Sequence, residues 1–499
     1  MPVYKNREFL LFRWFILGLL ASAVLLLLLA PIIRIGFKFE IDYNEGWNLY
    51  HGLKAASGLP LYDGQNEWMP LDYPPFSFYF VGVIGQLSGD PLLTGRIIAF
   101  LCLLLVSLGA GYTVKKLGGE VYDTVFASIF CLGLFAVYAP HYVGMNDPQM
   151  LGHVFMVGGL LVYLQNRSKG SKMFIVALLF FVGLFIKHNL ALIPIAVTID
   201  IFLHSRRNFL KWIGYLTFIG GGFVFITYMI FGSEFLHQLS FSISNTYSLQ
   251  KAIDRGVELG TKMKIPLIAV FPWVLYAFKK NRFRIISIYL VISIATGVYT
   301  SGQNGVDVNV FFDLFICLSI AAAMLLLYLR KILRHFFNPN LICSILPLIL
   351  ALGIITMASQ KIVRKEILPY SEYRLTHQIF LEDASFLATQ PGPVLCENML
   401  LCHYAKKSVE YDPFNTSEMI VTGRMDENNI LKCLESGYFS IVQLNGQLAD
   451  RYLKELAYTS VKKGTFERFT ENFKRALGKY YTLIRKTGTG TFYAPKNNR

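Results

Sequence analysis

The hexapeptide Asp42-Tyr43-Asn44-Glu45-Gly46-Trp47 places two carboxylates just beyond a long apolar run, Trp14 to Ile33. Such a run can cross a bilayer as a helix, which takes about 20 apolar residues. Acids at a membrane surface are costly to desolvate and are functional candidates on that ground; the competing reading is the polar start of a solvated loop. Further polar residues collect in turns at the same level of the chain: Arg96, then His141, Asn146 and Asp147 within His-Tyr-Val-Gly-Met-Asn-Asp-Pro, then Lys187-His188-Asn189, then Asn304, Asp307 and Asn309. Carboxylates and cations gathered at one mouth supply acid/base chemistry and charge stabilisation of a phosphate. Each also has a plainer reading, since Asn-Asp-Pro is a good turn and helix start and Lys187 could snorkel to headgroups.

The elements that must position these residues are membrane helices. The 499-residue chain is 54% hydrophobic and 16% charged. About eleven crossings are expected, at 11–33, 92–114, 122–140, 148–165, 173–186, 190–203, 208–231, 264–279, 284–300, 309–330 and 340–358. Lys115 and Lys116, Arg167, Lys169 and Lys172, Arg206, Arg207 and Lys211, Lys279 to Arg284, and Arg330 to Arg334 all fall on the side of Lys5, Arg7 and Arg13. By the positive-inside rule that side is cytoplasmic. The N-terminus is thus expected inside the cell and the C-terminal domain outside, in an inner or plasma membrane. The net charge of +15 lies in these short gaps and is a topology signal, so no nucleic-acid partner is expected. Ala21-Ser22-Ala23 lies inside the first apolar run, which argues against cleavage there.

Two regions are expected: a transmembrane module over 1–359, with a large first outer loop at 34–91, and a small α/β domain over 360–499. Trp47, Trp68, Tyr50, Tyr62 and Tyr73 suit short interfacial helices in the loop. The apolar stretch from Phe76 is too short to span and reads as a surface or re-entrant helix. In the C-terminal part, Val394–Cys396 and Tyr438–Leu444 read as strands, Asp426–Glu435 as a helix, and Tyr480–Ile484 with Thr491–Tyr493 as a hairpin. The loop 232–263 reads either as a lid or as an ordinary connection. Four cysteines lie in predicted membrane helices; of Cys396, Cys402 and Cys433, a bridge between the first two is open.

Asp-Tyr-Asn-Glu-Gly-Trp opening the first outer loop, Tyr73-Pro74-Pro75 later in it, Arg96 in the second crossing and Asn146-Asp147-Pro148 in the second outer turn together resemble the C-type polytopic glycosyltransferases. The branch most similar is the one related to protein O-mannosyltransferases and aminoarabinose transferases, and the resemblance covers essentially the whole chain. It implies transfer of a hexosyl or pentosyl group from a polyprenyl-phosphate-linked donor to a hydroxyl of a glycan, lipid or protein acceptor, on the extracytoplasmic face. Asp42 is then the expected base, with Glu45 and Asp147 as further catalytic acids orienting the acceptor. Arg96, Lys187 and His188 are expected at the donor phosphate, and Tyr73, Asn146 and Asn304 at the substrate. The family's adjacent acidic pair stands here as Asp42 and Glu45, with two residues between them. Clustered carboxylates suit a divalent cation on Asp42 and Asp147, although no spacing demands one. A transporter or lipid flippase is the alternative from another class, but no internal repeat is visible and the charges lie at the outer end rather than the midplane. A polysaccharide polymerase or ligase is a third, and would carry its large outer loop between late helices.

Overall fold

Apolar runs closed by polar caps set the helices. The computed structural model describes residues 2–62, 68–167, 172–240, 245–333, 339–445 and 468–496. After the long first helix α1 (Pro2–Arg34) come α2 (Asn44–Ala56) and α3 (Phe76–Ser88), both in the first outer loop, as the interfacial aromatics imply. α4 (Pro91–Lys116) starts where the Asp90 carboxylate accepts the Leu93 N–H at 3.0 Å, with Pro91 in the first turn, and ends on Lys115 and Lys116. α5 (Val121–Tyr138) opens with a reciprocal capping box between Glu120 and Asp123. α6 (Gln149–Asn166), α7 (Met173–Ile186), α8 (Leu192–His204) and α9 (Arg206–Phe231) follow.

The loop read as a lid folds as α10 (Ser233–Leu239) and α11 (Leu249–Lys262), its residues 241–244 lying outside those described. α12 (Lys264–Phe278), α13 (Arg284–Thr300), α14 (Phe312–Leu333), α15 (Pro339–Leu350) and α16 (Leu352–Val363) complete the bundle. Among the described residues five helices are each long and apolar enough to cross a membrane, and two bent pairs reach that length together. The pair α11/α12 is bent by 87° and α15/α16 by 59°, so the crossings expected at 264–279 and 340–358 are parts of broken helices. α14 is the axis of the bundle, buried along most of its length, whereas α9 is largely exposed and lies at the periphery.

Ion pairs join the helix ends that carry the basic clusters. Arg13 meets Glu120 at 3.2 Å, Arg330 meets Asp123, and Arg167 and Arg284 converge on buried Asp200 at 2.5 and 3.5 Å. At the other end of α1, Arg34 donates to the carbonyls of Pro140, His141 and Val143 at 3.1–3.3 Å, tying that helix to the turn before α6.

α2 and α3 meet backbone to backbone. A Cβ on Gly82 would overlap the Gly52 carbonyl, an atom that cannot swing aside. Gly82→Ala is therefore expected to destabilise the outer loop by about 1–3 kcal/mol, the usual range for overpacking. A melting midpoint in detergent equal to that of the unmodified chain would refute this contact.

Beyond the bundle, α17 (Tyr370–Ala388), α18 (Met399–Tyr404), α19 (Pro413–Val421) and α20 (Asn428–Glu435) surround a four-stranded sheet. Strands β1 (Val394–Cys396), β2 (Ile441–Asn445), β3 (Tyr481–Lys486) and β4 (Gly490–Pro495) are ordered β1-β2-β4-β3. β1 and β2 are parallel, and β3 and β4 form the antiparallel hairpin expected from the glycines between them. Cys396 and Cys402 are bonded, which closes the question their spacing left open.

This region docks on the first outer loop. A Cβ on Gly46 would stand 2.7 Å from the Met399 Cβ, so the glycine of the hexapeptide is what lets α18 approach α2. Asp412 N–H donates to the Trp68 carbonyl at 2.8 Å, while the Asp412 carboxylate caps α19 by accepting from Phe414 and Asn415 N–H, each at 3.1 Å.

Candidate active site

A cavity of about 280 Å³ opens where the outer turns, the first outer loop and α19 meet. Tyr43, Asn44 and Trp47 wall it from the start of α2, Asp72 and Tyr73 from the segment before α3, and Lys187, His188 and Asn189 from the turn between α7 and α8. Asn304 to Val306 and Asn309 close a third side, and Phe414 and Asn415 reach in from the C-terminal region. Turns distant in sequence thus converge at one mouth.

Lys187 is the cation of this cavity. The Asp147 carboxylate lies 3.3 Å from its ammonium through both oxygens, and the Tyr73 ring faces it at 4.9 Å to the centroid. Burial opposes the Lys187 charge, but Asp147 and the Tyr73 hydroxyl outweigh it and raise its pKa. Asp147 is itself fixed by the Gln149 N–H at 2.7 Å. Beside them, burial and then the Lys187 charge push His188 down to about 4, so its imidazole is neutral near pH 7. Burial likewise lifts Tyr73 to about 12, which keeps its hydroxyl protonated and able to donate.

Asp42 immediately precedes Tyr43 and Asn44 of the cavity wall, and its carboxylate accepts the Asn44 N–H at 3.0 Å and so shapes the turn into α2. Burial raises its pKa, the Arg468 charge and the Asn44 hydrogen bond work against that, and Asp307 adds repulsion. Asp307 is paired with His141 at 2.6 Å. Arg468 lies 4.6 Å from the Tyr43 ring centroid and 3.3 Å from the Glu397 carboxylate, bringing a C-terminal cation to the N-terminal end of α2. Asp72 is a third acid here, pushed up to about 7 by burial and then by Asp412.

The structure does not bring every expected residue to this cavity. Glu45 and Arg96 are fully buried against each other, at 2.8 and 2.6 Å. Arg96 spends its remaining donors on the carbonyls of Phe37 at 2.5 Å and Phe39 at 2.6 Å, and Glu45 accepts the N–H groups of Ile41 at 2.8 Å and Asn146 at 3.0 Å. With both charges satisfied internally, Arg96 is not placed to meet a phosphate nor Glu45 an acceptor. The pair instead clamps the hexapeptide to α4 and to the Asn146 turn. Asn146 packs its side chain against Gly95 and offers its carbonyl to Asn48, again away from the cavity. Asn304 does line it, and its amide donates to Glu418 of α19.

A divalent cation shared by Asp42 and Asp147, one of the options open from sequence, would have to compete with Lys187 for the second carboxylate. Among the described residues no group of three or more His, Cys, Asp or Glu side chains could hold a metal ion. Asp147 is already neutralised by the Lys187 ammonium, a charge that would repel a dication at that carboxylate.

Asp72, Tyr142, Asn415 and Arg468 were missed as site residues. Tyr142 lies in the His-Tyr-Val-Gly motif, and Asp72 adjoins Tyr73-Pro74-Pro75, so both carried a positional signal. Asn415 and Arg468 reach the site only through the docking of a region some hundreds of residues distant, which no local pattern discloses.

Residues 72–231 match the family described as dolichyl-phosphate-mannose-protein mannosyltransferase. No curated protein sequence matches the chain. Among solved structures, ArnT from Cupriavidus metallidurans bound to undecaprenyl phosphate is similar, with a TM-score of 0.58 and 14% identity over 97% of this chain and 98% of that one. Its apo state gives 0.57 and 12% over 96% and 97%. The archaeal oligosaccharyltransferase AglB from Archaeoglobus fulgidus, in complex with an inhibitory peptide and a dolichol-phosphate, gives 0.51 and 12% over 97% and 74%. At such identities the structural likeness carries the fold.

Proposed function

We propose that the chain is a polytopic membrane glycosyltransferase of the C type, a reading supported by the family match over residues 72–231 and the ArnT-like fold, and that it transfers a hexosyl or pentosyl group from a polyprenyl-phosphate-linked donor to an acceptor hydroxyl, with inversion, at the Lys187 cavity beside Asp42. The observation that carries this reading is a buried lysine, paired with Asp147 at 3.3 Å, in the wall of a cavity whose Tyr43 and Asn44 directly follow the Asp42 carboxylate. The similar ArnT structure binds undecaprenyl phosphate and the similar AglB structure a dolichol-phosphate, which supports the same class of donor here. Such a donor keeps its tail in the bilayer and its phosphate at headgroup depth. The acceptor is a glycan, lipid or protein. The membrane is the inner or plasma membrane, with the N-terminus cytoplasmic and the cavity extracytoplasmic, as the basic clusters imply.

In the reaction the Asp42 carboxylate takes the proton of the acceptor hydroxyl as its oxygen bonds to the anomeric carbon. The bond from that carbon to the phosphate oxygen breaks, and the electron pair leaves on the polyprenyl phosphate. The transition state is oxocarbenium-like, and negative charge develops on the departing phosphate. Lys187, aligned by Asp147 and Tyr73, stabilises that charge in a site where water is scarce. Neutral His188 and the Tyr73 hydroxyl supply hydrogen bonds beside it, and Asn304 a further polar contact to substrate. Glu45, Arg96 and Asn146 are positioning residues that fix the turn carrying Asp42.

The test is transfer of radiolabelled sugar from a panel of polyprenyl-phosphate sugars by the purified chain in lipid. Label on an acceptor, or released polyprenyl phosphate, is the expected result. Movement of labelled lipid across proteoliposomes with no turnover of any donor would overturn it in favour of a transporter.

The raised pKa of Asp42 also predicts a pH profile. A general base works only when deprotonated, so activity is lost as pH falls through its pKa. The acid limb of kcat/KM is expected above the usual aspartate value of about 4. Since the Arg468 charge favours the carboxylate, Arg468→Gln should move the limb further up in pH; an unchanged or downward limb would separate Asp42 from the titration.

A further inference from the structure

α2 has a second cavity on its other side. A space of about 360 Å³ lies between α2 and the turn after α18, with Tyr50 and Lys54 on the α2 side, Leu59 beyond it, and His403, Lys406 and Lys407 opposite. Burial holds His403 below its ordinary range, so the lysines carry the charge. Lys407 donates its ammonium to backbone carbonyls of Gln390 and Gly392, which orient the charge without neutralising it. Glu410, the neighbouring acid, accepts from Ser408 at 2.6 Å and Tyr438 at 3.1 Å.

Lys406 closes the turn after α18. It occupies a left-handed conformation, φ 55°, at the helix C-terminal position where glycine is the usual residue. Its N–H bonds the His403 carbonyl at 3.0 Å and the next N–H bonds Cys402 at 2.9 Å, so the turn is fixed and the strain falls on the lysine.

The groove lies close to the membrane surface. α2 touches α3 through Gly52 and Gly82, and α3 turns Phe80, Val83, Ile84 and Leu87 outward, with Leu87 83% exposed. One helix thus separates the lysines from an apolar face suited to hydrocarbon, which places them at headgroup depth with Tyr50 beside them.

We propose that this groove binds the headgroup phosphate of an anionic membrane lipid through Lys54, Lys406 and Lys407, bracing α2 between the lipid and the reaction cavity. The site is distinct from the Lys187 cavity, since α2 stands between them, and it does not depend on which sugar is transferred.

The test is thermal unfolding of the full chain in a neutral detergent, followed by tryptophan fluorescence, with phosphatidylglycerol, phosphatidylcholine or inorganic phosphate added at equal concentration. Phosphatidylglycerol is expected to raise the midpoint by a few degrees and the other two to leave it in place. The double variant Lys54→Gln with Lys406→Gln should lose most of that increment, while Lys479→Gln, a distant exposed control, keeps it. Lys406→Gly should raise the midpoint without lipid, by relieving the backbone, and at the same time shrink the increment. An undiminished increment in the double variant overturns the site, and an equal effect of inorganic phosphate overturns the lipid as its occupant. Because unfolding is read rather than turnover, failure here is separable from failure of the proposed reaction.

Discussion

Asp42→Asn is expected to lower sugar transfer by about 10²- to 10⁴-fold, the range for loss of a positioned general base, while leaving the melting midpoint close to that of the unmodified chain. The two halves of this expectation rest on different atoms. The turn into α2 needs an acceptor for the Asn44 N–H, and the asparagine carbonyl oxygen supplies one. What the amide cannot do is take a proton near neutral pH. A drop in kcat with KM little changed is the signature of an interaction made in the transition state rather than in binding. Asp307→Asn serves as the comparison, since its carboxylate is occupied by His141 and burial is outweighed by that partner so that its pKa lies low. A poor base by this measure, it should cost far less. Turnover near normal in Asp42→Asn with a large loss in Asp307→Asn or Asp72→Asn would transfer the role to that residue.

Tyr73 and Lys187 were legible as cavity residues because the sequence marks both what they are and where they lie: a charge or aromatic ring near the end of an apolar run, on the side opposite the basic clusters. The same logic misplaced Arg96 and Glu45. Sequence gives the level of a residue along the membrane normal, but not whether its side chain turns to the cavity or to a partner 51 residues away. Much of the fold was readable for a related reason. Hydropathy reports the helices, but a break such as Ala351 between α15 and α16 sits inside a continuous apolar run and leaves no trace in composition. The bend at Met263 between α11 and α12 was equally hidden, since an expected crossing that begins at 264 gives no reason to join it to the amphipathic segment before it. The hairpin of β3 and β4 was visible from its glycines, whereas the docking of α19 on Asn304 and Trp68 is a tertiary event without a local code.

The buried clamp makes the second large prediction. Arg96→Met should destabilise the protein by about 3–5 kcal/mol, because it strands the Glu45 carboxylate in a dry site. Three carbonyl contacts of the guanidinium, to Ile35, Phe37 and Phe39, are lost with it. Glu45→Gln alone should be milder, since the amide oxygen can still accept an N–H while the guanidinium keeps its backbone acceptors. The double variant Arg96→Met with Glu45→Gln should recover part of the loss, and the departure from additivity measures the coupling between the two side chains. Activity per folded molecule is expected to fall less than stability does, through displacement of the Asp42 turn rather than loss of a group that meets substrate. The opposite pattern, a normal melting midpoint with a raised KM for the lipid-phosphate donor, would return Arg96 to the phosphate. The clamp also separates the two acids of Asp-Tyr-Asn-Glu-Gly-Trp: Glu45 is locked by Arg96 and the Ile41 N–H, whereas Asp42, three residues earlier, accepts the Asn44 N–H and is the acid we propose as the base.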